Sequence, residues 1–173
     1  MNSRQRSKEW IDQIWDSYQK RELDIATRLV EKARKETRDP RILEVGGLVA
    51  YGQSRFHDAI DFIGNAMLEV PLSFASQMVL AKSYLKTGKT DDAADILTFL
   101  VEMRHELPSN MLPDLTHALA TIERFDLALA TCRAAFDRHP EDDSAVFGVA
   151  FYMHRCGYPC ELVKGVVAKA IDL

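Results

Sequence analysis

Hydrophobic positions recur along the chain at spacings of three and four residues, and short polar turns interrupt them. Such spacing places the apolar side chains on one stripe of an amphipathic helix. The pattern therefore predicts an all-α protein whose helices come in pairs. First helices are expected at about 8–20, 41–53, 74–87, 110–122 and 143–156, and second helices at about 23–37, 56–70, 90–106, 125–138 and 159–172.

The helix pairs repeat with a period near 34 residues. A small residue marks the same position of successive second helices, at Ala26, Ala59, Ala93 and Ala128, which are 33, 34 and 35 residues apart. A further step of 34 residues reaches Leu162. One short helical pair cannot bury its own apolar stripe, so units of this kind have to stack on their neighbours.

Turn and stop signals agree with this period. Gly88 and Gly157 follow first helices, where a left-handed backbone conformation commonly ends a helix. Prolines, which cannot continue a helix, follow several second helices at Pro40, Pro71, Pro108 and Pro140. The pattern thus indicates two short helices and a tight turn in each unit.

The third unit shows most clearly what this pattern resembles. Its segment Leu80-Ala81-Lys82-Ser83-Tyr84, followed by Gly88 and Ala93, resembles the tetratricopeptide repeat, and the resemblance extends over roughly residues 7–173. Arg21 and Glu123-Arg124 stand where the turn glycine is expected in the first and fourth units. The resemblance implies a right-handed solenoid of about five helix-turn-helix hairpins. It also implies one domain over 1–173, with units at about 7–39, 40–73, 74–108, 109–142 and 143–173.

The same resemblance implies a partner-binding groove along the first helices. Its candidate residues are Trp15, Tyr18, Leu48, Tyr51, Lys82, Leu85, Lys86, His117, Phe151, His154 and Arg155. Aromatic anchors with a few positive charges suit an extended peptide or an amphipathic helix. A second interpretation stays open, in which such residues only fill the core between units; it applies most to Ile11, Met78 and Phe147.

Composition excludes some classes of partner. The chain has 22 basic and 26 acidic residues, a net charge of −4, which gives no support to nucleic-acid or membrane-surface binding. Its polar and basic first residues do not resemble a secretory signal, and no apolar run reaches the length of a membrane span. Three cysteines form no even disulfide framework, so we expect a reducing, cytoplasmic setting.

Candidate chemistry is sparse. His154, Cys156 and Cys160 are suitable zinc ligand types, but no further Cys/His pair is near them, and the repeat's own turn explains their spacing. The remaining histidines belong to different units, and no catalytic arrangement follows from spacing. We therefore expect no enzyme activity, no metal and no cofactor.

The function expected from the sequence is that of an adaptor or co-chaperone that binds a segment of another protein. One alternative is a secretion-type chaperone that shields an export substrate in the same groove. Another is a self-assembly module, or a fragment of a longer repeat protein. Self-assembly would use the C-terminal hairpin, where Val163, Val166, Val167, Ala170 and Ile171 could leave an apolar end.

Overall fold

The computed structural model describes residues 3–171, with side chains described over 4–168. Over these residues the chain forms ten α-helices and no strand, which confirms the all-α prediction. They are α1 (Ser3–Gln19), α2 (Leu23–Glu36), α3 (Pro40–Gly52), α4 (Phe56–Met67), α5 (Phe74–Lys86), α6 (Thr90–Glu102), α7 (Leu112–Thr121), α8 (Phe125–Arg138), α9 (Asp143–Arg155) and α10 (Cys160–Ile171). A short 3-10 turn, Ser109–Met111, precedes α7. None of the described helices combines the length and the apolar character needed to cross a membrane.

The first helix begins at Ser3, earlier than the sequence predicts, because its polar start contacts α2. Ser7 is buried, and its hydroxyl lies 2.9 Å from the hydroxyl of Thr37 in a hydrogen bond. The Arg6 guanidinium pairs with the Glu36 carboxylate at 2.8 Å. These contacts are tertiary, so the apolar periodicity of the sequence did not indicate them.

The sixth helix ends at Glu102, earlier than predicted, and a turn follows it. The Arg138 guanidinium donates hydrogen bonds to the backbone carbonyls of Leu107 at 2.6 Å and Arg104 at 2.7 Å. It also donates to the Ser109 hydroxyl at 3.3 Å. A side chain of α8 therefore satisfies backbone carbonyl groups of the turn that follows α6.

The same turn joins the two helices of every pair. One residue in each turn has a left-handed backbone: Arg21 (φ 60°), Ser54 (φ 61°), Gly88 (φ 78°), Glu123 (φ 58°) and Gly157 (φ 78°). The next residue donates its N–H to a carbonyl five positions earlier, as Glu22 does to Ser17 and Lys89 to Tyr84. This is the Schellman arrangement, which ends a helix by satisfying its last carbonyls. Its geometry is kept even where glycine is absent.

Small residues allow the paired helices to approach closely. Ala26, Ala59, Ala93 and Ala128 are all fully buried. On α3, a Cβ atom added to Gly47 would lie 2.3 Å from Cγ1 of Ile63, so no larger residue fits there without movement of α4. The repeating small positions predicted from the sequence therefore lie at helix–helix contacts.

The described chain divides into two compact units, one reaching to Ala93 and the other starting at Ala94. In the first, α1, α3 and α5 lie side by side, with α2 and α4 packed against them. Its core cluster includes Ile14, Ile42 and Val49. In the second, α7, α8, α9 and α10 pack in sequence, and a core cluster forms around Leu129, Cys132, Val149 and Met153. The division lies inside α6, and a single domain stays a prediction.

Candidate functional site

In the first unit, the candidate aromatic residues of α1 reach α3. The rings of Trp15 and Tyr18 meet edge to face with their centroids 5.4 Å apart, and both side chains are half-buried. Tyr18 lies over Gly52: a Cβ atom added there would be 3.3 Å from Cε2 of the tyrosine. Because Gly52 has no side chain, the aromatic ring of Tyr18 fits between α1 and α3.

The candidate residues of α5 continue this surface. The Lys82 ammonium lies 5.7 Å from the centroid of the Tyr51 ring, a cation–π contact between α5 and α3. Tyr51 also contacts Phe56 at the start of α4, with ring centroids 5.6 Å apart. Leu85 is half-buried and Lys86 is exposed. Trp15, Tyr18, Tyr51 and Lys82 thus form one surface across three helices, which we call the α1–α3–α5 surface.

Burial separates some neighbouring positions from this surface. Leu48 is only 6% exposed and Met78 is also buried, so both side chains serve mainly in packing between helices. Ile11 is half-buried and packs on the core cluster around Ile14. The alternative interpretation of the stripe as core therefore describes these positions better than it describes Tyr51.

In the second unit the candidate residues of α9 are far more exposed. Phe147 and Phe151, one helical turn apart, are 58% and 56% exposed. The Phe151 ring meets Tyr152 edge to face at 5.0 Å, and the Arg155 guanidinium lies 4.2 Å from the centroid of Phe125. Two candidate histidines are also exposed, His117 on α7 and His154 near the end of α9.

Sequence reasoning missed one aromatic pair in this region. Phe125, at the start of α8, and Tyr152, on α9, stack with their centroids 6.4 Å apart. Burial raises the pKa of the Tyr152 hydroxyl, and the nearby Cys132 thiol adds to the effect. The available signal was the position of Phe125 directly after the turn, which matches Phe56 at the start of α4.

The described side chains of His154, Cys156 and Cys160 do not form a metal site. Cys156 and Cys160 are exposed around the last turn, and Cys132 is buried. Burial raises the pKa of the Cys132 thiol, more than the Thr116 hydroxyl lowers it, so the thiol is protonated at neutral pH. Among residues with described side chains, no three His, Cys, Asp or Glu groups come together to hold a metal ion.

Comparison with known proteins gives structural matches only. No protein-family model matches the sequence, and no curated protein does either. YrrB, described as a TPR protein with an unusual peptide-binding site, superposes with a TM-score of 0.71 at 19% identity, covering 94% of this chain and 84% of YrrB. MamA of AMB-1 gives a TM-score of 0.73 at 20% identity, covering 97% and 91%. MamA from Desulfovibrio magneticus RS-1, residues 41 to the end, gives 0.71 at 16% identity, covering 97% and 94%.

These likenesses cover nearly the whole chain, and they agree with the five equal turns and the buried alanines. The protein is a helical-repeat solenoid with the tetratricopeptide-repeat fold, as its sequence predicts. At such low sequence identity, the likeness concerns the fold alone. The chemistry of the surface has to be argued from its own residues.

Proposed function

We propose that this protein is an interaction scaffold that binds a segment of a partner protein on the α1–α3–α5 surface. The observation that carries the proposal is the meeting of aromatic and basic side chains from successive first helices, with Lys82 lying over the Tyr51 ring. Aromatic side chains that are partly exposed yet held by their neighbours can bury area at little entropic cost, as binding hot spots do.

The chemistry of this surface suggests the chemistry of its ligand. The rings of Trp15, Tyr18 and Tyr51 offer apolar contact, and Lys82 and Lys86 on α5 add positive charge. On α3, the Glu44 carboxylate accepts a hydrogen bond from the backbone N–H of Ser73, just before α5, at 2.9 Å. We propose an extended peptide or amphipathic helix that carries apolar anchors and an acidic residue near the lysines.

The structural comparisons support a peptide ligand as a general class. YrrB, which shares the fold, is described as having a peptide-binding site. We propose an adaptor or co-chaperone role in the cytoplasm, without enzyme activity. Phe151, His154, Arg155 and His117 of the second unit would add a further contact region.

Selection from a displayed library of random peptides against the purified protein tests this proposal. The selected peptides should be rich in aromatic or aliphatic residues with an acidic residue nearby. In calorimetric titration, Tyr51→Ala should weaken their binding about tenfold or more, which is the effect expected of a hot-spot residue. Lys82→Ala should weaken it less, and the loss should shrink at high salt.

A matched control comes from the exposed Met67 at the end of α4, on a second helix. Met67→Ala should leave the affinity unchanged. Equal binding by Tyr51→Ala and the unmodified protein would contradict the assignment of this surface.

Self-association through the C-terminal hairpin is a second candidate, favoured by one observation. Leu162 is 55% exposed, whereas the four alanines at the corresponding position of earlier units are fully buried. Val163 and Val166 pack against the core cluster around Val149, so they are not the exposed part of this end. The side chains of Ala170 and Ile171 lie outside the described residues. Sedimentation velocity over a wide concentration range, with Leu162→Glu for comparison, tests this candidate; a monomer throughout would exclude it.

A further inference from the structure

A groove lies between α2 and α4 in the first unit, with α3 as its floor. Each wall is one helical face, with residues spaced by three and four positions: Thr27, Val30, Glu31 and Arg34 on α2, and Asp58, Asp61, Phe62 and Asn65 on α4. The volume of the groove is about 360 Å³. That value lies near the lower end of the ~300–1,000 Å³ typical of ligand sites, and it suits one or two side chains.

Gly46 on α3 lines the groove and contributes no side chain to it. The corresponding positions of the later units are Leu80, Leu115 and Val149, and all three are buried. Glycine in the interior of a helix is unfavourable compared with alanine, so this position departs from the rest of the repeat at a cost in stability.

The constraint on Gly46 is milder than the constraint on Gly47. A Cβ atom on Gly46 would lie 3.0 Å from Cγ1 of Val30 and 3.7 Å from Cδ1 of Phe62. The Phe62 distance is an ordinary contact, whereas the buried Val30 would have to shift by a few tenths of an ångström. Gly47 differs, because a Cβ atom there would meet Ile63 at 2.3 Å. Of the two adjacent glycines, one permits helix contact and the other leaves a groove open.

Among the described residues, some charged side chains on the rim of the groove pair with a neighbouring side chain, and others do not. The Arg55 guanidinium donates to the Asp58 carboxylate at 2.6 Å, and the Arg34 guanidinium lies 5.0 Å from the centroid of Phe62. The Glu31 and Asp61 carboxylates stand on opposite walls, and neither has a hydrogen bond or ion pair within the described part of the chain. The groove is thus bordered by three carboxylates and two guanidinium groups, a net charge of −1, and Val30, Val49 and Phe62 form its apolar lining.

We propose that this groove is a second docking site, which takes an apolar side chain of a partner protein whose neighbouring residue is lysine or arginine. The apolar side chain fills the space left by Gly46, and the neighbouring cation pairs with Glu31 or Asp61. Because the walls belong to second helices, the site is separate from the α1–α3–α5 surface, and it can be occupied whether or not that surface binds a peptide.

Two short peptides serve as probes: acetyl-Phe-Lys-amide and acetyl-Phe-Glu-amide. Nitrogen-15 NMR titration of the whole chain should shift the amide signals of Gly46 and Phe62 with the lysine peptide. The glutamate peptide should bind about fivefold more weakly, since one or two exposed charge contacts change sign. Gly46→Leu, which introduces the residue found at the corresponding positions of the third and fourth units, should abolish binding by filling the groove.

Three further variants make the result decisive. Glu31→Gln combined with Asp61→Asn should remove the preference for the lysine peptide while keeping the groove, which decides the matter if Gly46→Leu does not fold. Gly64→Ala is the matched control on α4, because a methyl group there meets nothing within 4 Å, and binding should not change. Tyr51→Ala, which alters the separate α1–α3–α5 surface, should also leave binding of the lysine peptide to the groove unchanged. The proposal is wrong if no groove signal shifts, if both peptides bind equally, or if Gly46→Leu binds as before.

Discussion

The α1–α3–α5 surface and the exposed face of α9 occupy the same repeat position, yet their aromatic side chains differ in how far neighbouring helices bury them. Trp15 and Tyr18 are half-buried, and Tyr18 lies over Gly52 on the adjacent first helix. Phe147 and Phe151 are more than half exposed. The same repeat position can therefore place an aromatic ring against a neighbouring helix or leave it open to solvent.

The largest effect is expected where helices touch most closely. Gly47→Ala on α3 should destabilise the protein by about 2 kcal/mol, because overpacking against Ile63 exceeds the gain in helix propensity. Gly148→Ala on α9 should change stability by less than about 1 kcal/mol, because its Cβ would meet only the Cys132 side chain at 2.9 Å. Urea unfolding of both variants checks this; equal losses would mean that the two contacts are equally tight.

The aromatic comparison itself predicts the next effect. Tyr18→Ala should cost about 1–2 kcal/mol, because its ring is partly buried against Gly52 and Trp15. Phe151→Ala should cost no more than about 0.5 kcal/mol, as exposed substitutions usually do. Thermal unfolding measures both; a larger loss for Phe151→Ala would show that α9 is covered in solution, for example by another copy of the chain.

The turns predict smaller effects of opposite sign. Ser54→Gly in the first unit and Glu123→Gly in the second should each stabilise the protein by about 0.5–1 kcal/mol, because both residues have a left-handed backbone. Gly88→Ala should destabilise it by about 1 kcal/mol. Chemical unfolding with a constant m-value would measure the change in the free energy of unfolding. If neither Ser54→Gly nor Glu123→Gly were more stable, the assigned turn geometry would be contradicted.

The helix caps predict the smallest effects, at acidic pH. The hydrogen bond from Arg41 holds the pKa of Asp39 below its ordinary value near 3.8, and the Ser144 hydroxyl and N–H do the same for Asp142. A lowered carboxyl pKa stabilises the fold above that value, and the contribution disappears as the pH falls through the folded-state pKa. Asp39→Asn should therefore flatten the stability curve below about pH 4, and Asp142→Asn should do so less, because Asp142 is exposed whereas Asp39 is half-buried. Unfolding measured between neutral pH and about pH 2 tests this; unchanged curves would exclude the effect.

Much of the fold could be predicted from spacing. The buried alanines, the five turns and nearly all helix starts follow from apolar periodicity, which acts over a few residues. The early start of α1 and the early end of α6 could not be predicted, because Thr37, Glu36 and Arg138, which contact those ends, lie far along the chain.

The candidate site was predictable only as a stripe of positions. The repeat places Trp15, Leu48, Lys82, His117 and Phe151 at one position of successive units, yet one is buried and others are exposed. Periodicity specifies which face of a helix a residue occupies, but exposure depends on the size of residues on neighbouring helices.

The repeat, the helix pairs and the chemical types along each face follow from the sequence alone, because these depend on interactions between residues close in the chain. Three features depend on how the helices pack: Tyr18 lies over Gly52, Lys82 lies over Tyr51, and Gly46 lines a groove beside Phe62. Each of these outcomes depends on side chains from different helices meeting at atomic distances, and a one-dimensional pattern does not contain those distances.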